Sequence, residues 1–336
     1  MARRPTLALA MVPYFTADLF APAHWDRLRG LCEVLDPEPL TAFGEARAIR
    51  LLARAEVLLT SWGCPPIDVH VLAQAPALRA IAHAAGTVKG HVTEACWERG
   101  LLVSSAAAAN ALPVAEYTLA AIVFANKRVF RLQRRYRELR ALRWWPSEAP
   151  GLGNYRKVVG IVGASHVGRR VLELLRPFDF EVLVADPYLS TADAAALGAR
   201  LVELDALIAA SDLVSLHAPA LPETLELIDR RRLALMRDGA VLINTARGCL
   251  VDGAALEAEL VSGRIEAVID TTEPEVLPAD SPLYELPNVC LTPHIAGAMG
   301  TETLRLATLA IDEIERYTQG QPFRYPVRRD DLARVA

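Results

Sequence analysis

One stretch constrains the fold of this chain more than any other: Lys157–Asp186, K-V-V-G-I-V-G-A-S-H-V-G-R-R-V-L-E-L-L-R-P-F-D-F-E-V-L-V-A-D. Val158–Val162 is a short β-branched run, the pattern of a fully buried strand. Gly163 interrupts it, and apolar residues of helical period follow from Val167 to Phe178. A second buried strand, Glu181–Ala185, ends on Asp186. Strand, glycine turn, helix, strand and terminal acid make a dinucleotide-binding unit. The turn admits a pyrophosphate to the backbone, and the helix N-terminus offers unpaired N–H groups and partial positive charge. Asp186 stands roughly 20 residues past the turn, where a carboxylate accepts from a ribose 2′-hydroxyl. The G-x-G-x-x-G pattern falls on Gly163, Ser165 and Gly168, so serine holds the place of closest pyrophosphate approach, with a hydroxyl able to bond a phosphate oxygen. The cofactor-binding positions on this reading are Gly163, Ser165, His166, Val167, Gly168, Asp186 and Pro187. No arginine follows Asp186 to receive a 2′-phosphate, and its carboxylate repels one, which favours NAD over NADP.

At 336 residues the chain is long enough for two domains with buried cores. A net charge of -4 argues against a nucleic-acid surface, and 52% hydrophobic residues argue against disorder. Cys32, Cys64, Cys96, Cys249 and Cys290 are scattered, odd in number and without a C-x-x-C pair. That is neither a disulfide framework nor a metal site, and it fits a cytoplasmic protein. The start, Met1–Phe15, has arginines before an apolar run too short for a signal peptide and reads as a first strand. No apolar run reaches the ~20 residues needed to cross a bilayer, so no membrane partner is expected.

Residues 1–108 alternate strands (Thr6–Met11, Glu56–Thr60, Leu78–Ala82, Leu101–Ser104) with helices (Ala23–Leu35, Val92–Arg99) and carry a glycine turn at 85–90. This is a smaller α/β unit without a dinucleotide turn. Pro113–Leu142 is expected as one long helix, with Pro113 in its first turn, where a missing N–H costs nothing. Its first half is apolar almost all round. Its second half carries Lys127, Arg128, Arg131, Arg134, Arg135, Arg137, Arg140 and Arg143, which read either as a phosphate-binding patch or as a solvated or subunit-facing end. From 158 onward, seven strands in βα rhythm predict a parallel, doubly wound sheet with ligands at the strands' carboxyl ends.

Three of those strand ends carry polar clusters: Asn244-Thr-Ala-Arg247-Gly248, Asp270-Thr-Thr-Glu273-Pro-Glu275 and Thr292-Pro-His294-Ile-Ala-Gly297. Arginine is a two-pronged, permanently charged clamp for a carboxylate. Histidine exchanges a proton near neutral pH, and a carboxylate behind it orients the ring. Beside a nicotinamide, that set suits reversible hydride transfer between an alcohol and a ketone next to a carboxylate. Glu273 and Glu275 are both candidates for the carboxylate. His217 closes a strand in L-H-A-P, with a structural role favoured over a catalytic one. His91 reads as a surface residue, and His83 lies either near the crevice or away from it. Trp62 either lines a substrate pocket or packs.

The ordered motifs G-x-S-x-x-G, terminal Asp, N-T-A-R-G, D-x-x-x-x-E and P-H-x-A-G, with A-G-T-V near the start and A-L-P-V-A-E at the long helix, resemble the D-isomer-specific 2-hydroxyacid dehydrogenase family over nearly the whole chain. The resemblance implies two Rossmann-like domains: a doubly wound parallel-sheet NAD domain, 109–298, inserted in a smaller flavodoxin-like substrate domain, 1–108 with 299–336 returning to it. The crevice between them is expected to hold the reaction. It implies that Arg247 binds the substrate carboxylate and carbonyl, that His294 is the acid–base, and that the family spacing selects Glu275 as its partner. It further implies that Asp270 reaches the nicotinamide amide, that Thr245, Arg247, His217 and His294 lie against NAD, and that Gly86, Thr87 and Val88, with Arg247 and His294, bind substrate. Ser165 and Val276 depart from the family's usual Gly and Pro without removing a functional group. The expected activity is an NAD-dependent interconversion of a D-2-hydroxy acid and a 2-oxo acid, like glyoxylate or hydroxypyruvate reductases, in a cytoplasmic homodimer without a metal. Phosphoglycerate dehydrogenase and an NAD-sensing, non-catalytic scaffold are the alternatives. A formate dehydrogenase is disfavoured, because Pro293 rather than Gln precedes His294.

Overall fold

Alternation along each strand sends successive side chains to opposite faces, and here both faces are covered. In β1 (Thr6–Ala10), Leu7 and Leu9 enter one apolar cluster while Ala8 and Ala10 enter another. In a second strand of the same sheet, Val57–Thr60, Val57 and Leu59 divide from Leu58 in the same way. The computed structural model describes residues 4–145, 149 and 151–332, so the first residues of the expected opening strand segment and the last four of the tail lie outside it.

The chain forms two compact units, Met1–Asn110 with Ala298–Ala336, and Ala111–Gly297. The first is built on a parallel sheet of β1, β2 (Glu33–Val34), β3 (Val57–Thr60), β4 (Ala80–His83) and β5 (Leu102–Ser105). Their order across the sheet is β2-β1-β3-β4-β5, the flavodoxin-like order. The expected helix Ala23–Leu35 is shorter, Pro22–Leu31; Cys32 turns extended and frees Glu33–Val34 to pair with Thr6–Leu7. Helices at Tyr14–Leu19, Ala46–Leu52 and Val69–Gln74 add to those expected. The returning helix Thr303–Thr318 inserts Leu306, Ala307, Ala310, Ile311 and Ile314 into this unit's core. Arg27 pins it through Asp312 at 2.9 Å and Glu315 at 2.7 Å.

The second unit holds a parallel sheet of seven strands. They are β6 (Val158–Val162), β7 (Glu181–Ala185), β8 (Arg200–Leu201), β9 (Leu213–Leu216), β10 (Val241–Asn244), β11 (Glu266–Ile269) and β12 (Val289–Leu291). Their order is β12-β11-β10-β9-β6-β7-β8. Numbered within the unit this is the dinucleotide-binding order, which reverses between β6 and β9 and leaves a ligand crevice at their carboxyl ends.

The expected single helix 113–142 is two. Ala107–Asn126 starts six residues early with Pro113 inside it, and Arg128 breaks it by adopting φ 52° before Val129–Leu139. By length and composition Ala107–Asn126 is apolar enough to cross a membrane, contrary to the expectation that no such run exists. Its apolar residues instead serve protein cores: Ala115, Ala121, Ile122 and Ala125 pack with Val159 and Ile161. Several of the arginines at and beyond the break pair with other residues of this unit. Arg128 and Arg131 meet Glu266 at 3.1 and 3.2 Å, and Arg134 donates to the Glu285 carbonyl.

Candidate functional site

The glycine turn is built as its sequence requires. Gly163 has φ +94°, and a Cβ there would strike the His217–Ala218 backbone, so only glycine fits. Ser165 is the N-cap of helix His166–Leu175, its hydroxyl accepting from Gly168 N at 3.4 Å. That gives serine a helix-capping role, and its O–H remains able to donate. The N–H groups of His166 and Val167, in the first helical turn, have no acceptor among the described residues. They are the orphan donors that an anion satisfies at a helix start.

Asp186 braces the same turn. One carboxylate oxygen accepts from Ala164 N at 2.7 Å and the other from Tyr188 N at 2.8 Å. Each oxygen retains a lone pair for a ribose hydroxyl. His217 ends β9 against the turn, buried, with Ser215 on Nε2 at 2.9 Å and no partner on Nδ1. Burial lowers its pKa to about 3, so the ring is neutral. Unpaired helix-start donors, the glycine cradle and a buried orphan nitrogen fit a dinucleotide.

At β10, Asn244 shapes the turn that presents Arg247. Its amide donates to the Arg247 carbonyl at 2.8 Å, and its carbonyl oxygen accepts from Ala246 N at 3.1 Å. Arg247 is half-buried, and its guanidinium donates to the Ala246 carbonyl at 2.6 Å. Thr245 is buried against Thr118, hydroxyl to hydroxyl at 2.9 Å. A Cβ on Gly248 would overlap the Thr272–Glu273 backbone, so glycine lets the Arg247 turn lie directly on the loop that carries Glu275.

Glu275 and His294 meet: His294 Nδ1 donates to Glu275 Oε1 at 2.5 Å, with both side chains partly exposed. Glu273 makes no such contact. Holding Nδ1 in this way leaves Nε2 available for proton exchange. His294 sits at φ +54°, a left-handed conformation in which a non-glycine residue is held by its surroundings. Asp270 does that holding. It is 2% exposed, and its carboxylate accepts from Thr292 Oγ1 at 2.6 Å, Ile295 N at 2.9 Å and Ala296 N at 2.9 Å. Its carbonyl also accepts from His294 N at 2.9 Å. Tyr117 extends the network by donating to Thr292 at 2.8 Å. The sequence marks neither Tyr117 nor Thr118; an apolar helix face gives no sign that its hydroxyls reach strand ends.

In the first unit, Gly86, Thr87 and Val88 form the turn after β4. His83 stands beneath it, bonded to Thr60 through Nδ1 at 2.9 Å and to the Thr87 backbone. His91 is not at the surface as expected: it is 5% exposed and stacks on His83 at 4.3 Å. Burial lowers both pKa values, His91 to about 4. Trp62 packs beside Phe15 at 5.1 Å, and Phe15 on Tyr14 at 4.0 Å, past the ends of β1 and β3.

A sequence model described as "D-isomer specific 2-hydroxyacid dehydrogenase, NAD binding domain" matches residues 119–296. D-3-phosphoglycerate dehydrogenase of Mycobacterium bovis is 33% identical over 306 residues, which cover 87% of this chain but 57% of that protein. The chain thus spans little more than half of that relative. Glyoxylate reductase of Korarchaeum cryptofilum is 34% identical over 259 residues, 76% of this chain and 78% of that one. The crystal structure of the TT0316 protein from Thermus thermophilus superposes with a TM-score of 0.77 at 30% identity, covering 96% of this chain and all of its own. The chain belongs to the D-isomer-specific 2-hydroxyacid dehydrogenase family, and its cofactor is NAD.

Proposed function

We propose that the protein is an NAD-dependent dehydrogenase that interconverts a D-2-hydroxy acid and a 2-oxo acid. The contact that carries this reading is His294 Nδ1 to Glu275 at 2.5 Å, which fixes an imidazole with its outer nitrogen free. Bound NADH supplies the hydride. Arg247 holds the substrate carboxylate and polarises the adjacent carbonyl. His294, oriented by Glu275, gives a proton to the carbonyl oxygen through Nε2 and takes it back in the oxidative direction. The backbone N–H groups at Gly86, Thr87 and Val88 receive the substrate carboxylate. The residues 1–110 with 298–336 serve the substrate and 111–297 serve NAD; on this reading Gly163, Ser165, His166, Val167, Gly168, Asp186, Pro187, His217, Thr245 and Asp270 line or support the cofactor.

The rings of Tyr14, Phe15 and Trp62 stand at the strand ends next to that turn, which favours a substrate with an apolar substituent over a phosphorylated one. Five free cysteines accord with a cytoplasmic setting. The exposed Phe124 and Tyr136, on the two helices 107–126 and 129–139, support the reading that a homodimer forms through these helices. NADH oxidation measured across glyoxylate, hydroxypyruvate, pyruvate, phenylpyruvate and 3-phosphohydroxypyruvate tests the activity. His294→Ala is expected to lose about 10²–10⁴-fold in turnover while still binding NADH. Reduction of none of these acids, with NADH binding intact, would establish the non-catalytic alternative instead.

A further inference from the structure

The backbone N–H groups of Gly86, Thr87 and Val88 have no acceptor among the described residues. Successive unpaired N–H groups in a turn form a concavity for an anion. Its grip depends on how firmly the turn is held, because any group left free to wander must be ordered again on binding. On the near side the chain is tied to neighbouring strand ends. Ser61 Oγ donates to the Ala84 carbonyl at 3.1 Å, and Ala106 N to the Ala85 carbonyl at 3.0 Å. On the far side the Val88 carbonyl accepts from His91 N at 3.1 Å and Val92 N at 2.9 Å. Beneath the middle stands the buried ring of His83. Its Nδ1 shares a 2.9 Å hydrogen bond with the hydroxyl of Thr60, itself buried at the end of β3, and the ring reaches the Thr87 backbone. The same ring packs against that of His91, with centroids 4.3 Å apart. A line of contacts thus runs from β3 through His83 to the residue that holds Val88. No step of the proposed reaction uses this histidine.

We propose that His83 is a positioning residue for the carboxylate-binding turn: its ring fixes Gly86–Val88, so that a substrate carboxylate meets N–H groups already arranged. That the turn receives a carboxylate rests on the dehydrogenase reading; that His83 holds the turn does not. The histidine acts on substrate binding and not on hydride or proton transfer. Its loss therefore raises KM and leaves kcat near its original value. A merely structural histidine would behave differently. A less stable chain contains less active enzyme, which lowers the apparent kcat at an unchanged KM.

The test compares His83→Leu, which removes the ring and both its nitrogens, with His83→Gln, whose amide can still bond the Thr60 hydroxyl and the Thr87 backbone. Steady-state kinetics use whichever acid of the panel above the unaltered full chain reduces fastest. His83→Leu is expected to raise KM about tenfold or more, with kcat within about threefold and NADH affinity unchanged. His83→Gln should return KM to within about threefold of the unaltered chain. Amide exchange is read in parallel without substrate. The His91 and Val92 N–H groups, which hold the Val88 carbonyl, should exchange at least about tenfold faster in His83→Leu and recover in His83→Gln. An unchanged KM, a fall in kcat alone, no recovery in His83→Gln, or unchanged exchange at His91 and Val92 overturns the proposal. Should His83→Leu fail to fold, Thr60→Val decides through the same two readouts, with Thr60→Ser as its rescue. An unaltered chain that reduces none of the acids refutes the dehydrogenase reading, and the exchange measurement then decides by itself whether His83 holds the turn.

Discussion

The conformation of His294 depends on a residue that never touches its ring. Asp270 makes three acceptor contacts with the loop 292–296, and this holds the histidine backbone at a positive φ while Glu275 holds the side chain. Asp270→Asn keeps the shape but turns an amide donor toward Ile295 N–H or Ala296 N–H. It should cost roughly 1–3 kcal/mol of stability, read from urea unfolding, together with a fall in turnover. A residue that merely touched the nicotinamide would change NADH affinity and leave the urea midpoint alone. The buried histidines give a second measurement. The folded pKa values of His91, about 4, and His217, about 3, lie below the unfolded value near 6.5. The native rings stay neutral while the unfolded chain gains protons, so their stabilisation is complete above pH 6.5 and is lost as pH falls towards 4. Each should forfeit roughly 2 kcal/mol between pH 6.5 and 5, and His91→Gln should flatten its share of the urea-midpoint profile. Arginine, glutamate and histidine are legible in the sequence because each type is scarce at strand ends without a task. His91 is not, since a histidine between a glycine turn and a short helix carries no mark of burial.

At the scale of elements, the parallel sheets are readable because strands buried on both faces appear as unbroken apolar runs. The two-residue β2 has no period to read. The break at Arg128 is equally silent, for a left-handed residue is normally announced by glycine or asparagine, and here an arginine takes that conformation. The serine in the cofactor turn looks like a gap in a motif and is the cap of the following helix. Ser165→Ala should therefore destabilise by about 1 kcal/mol, and Ser165→Gly by only a few tenths, in thermal unfolding. Gly248→Ala tests the packing of two loops. Its methyl group would displace the Thr272–Glu273 backbone, and turnover should fall with little change in NADH affinity, as measured by fluorescence titration. Unchanged kinetics would mean that the loops adjust freely.

Across the whole molecule, the chain leaves the first unit near Asn110 and comes back at Ala298, where the Asn110 side chain accepts from Ala298 N at 3.0 Å. The first unit is thus closed by its own last helix. Removing residues 303–332 should expose Leu7, Leu9 and Leu28 to solvent and unfold that unit, visible as lost near-ultraviolet dichroism from Trp25 and Trp62. Sedimentation should give a dimer for the intact chain; a monomer at micromolar concentration would remove the subunit role from the helices 107–126 and 129–139. The same closure orders events on the ribosome. Residues 1–110 emerge first but lack the helix that fills their core, and the intervening 111–297 take on the order of ten to forty seconds to translate at roughly 5–20 residues per second. The later-made unit can finish folding before the earlier one. A nascent chain halted near residue 297 should accordingly present a protected second unit and a protease-sensitive beginning.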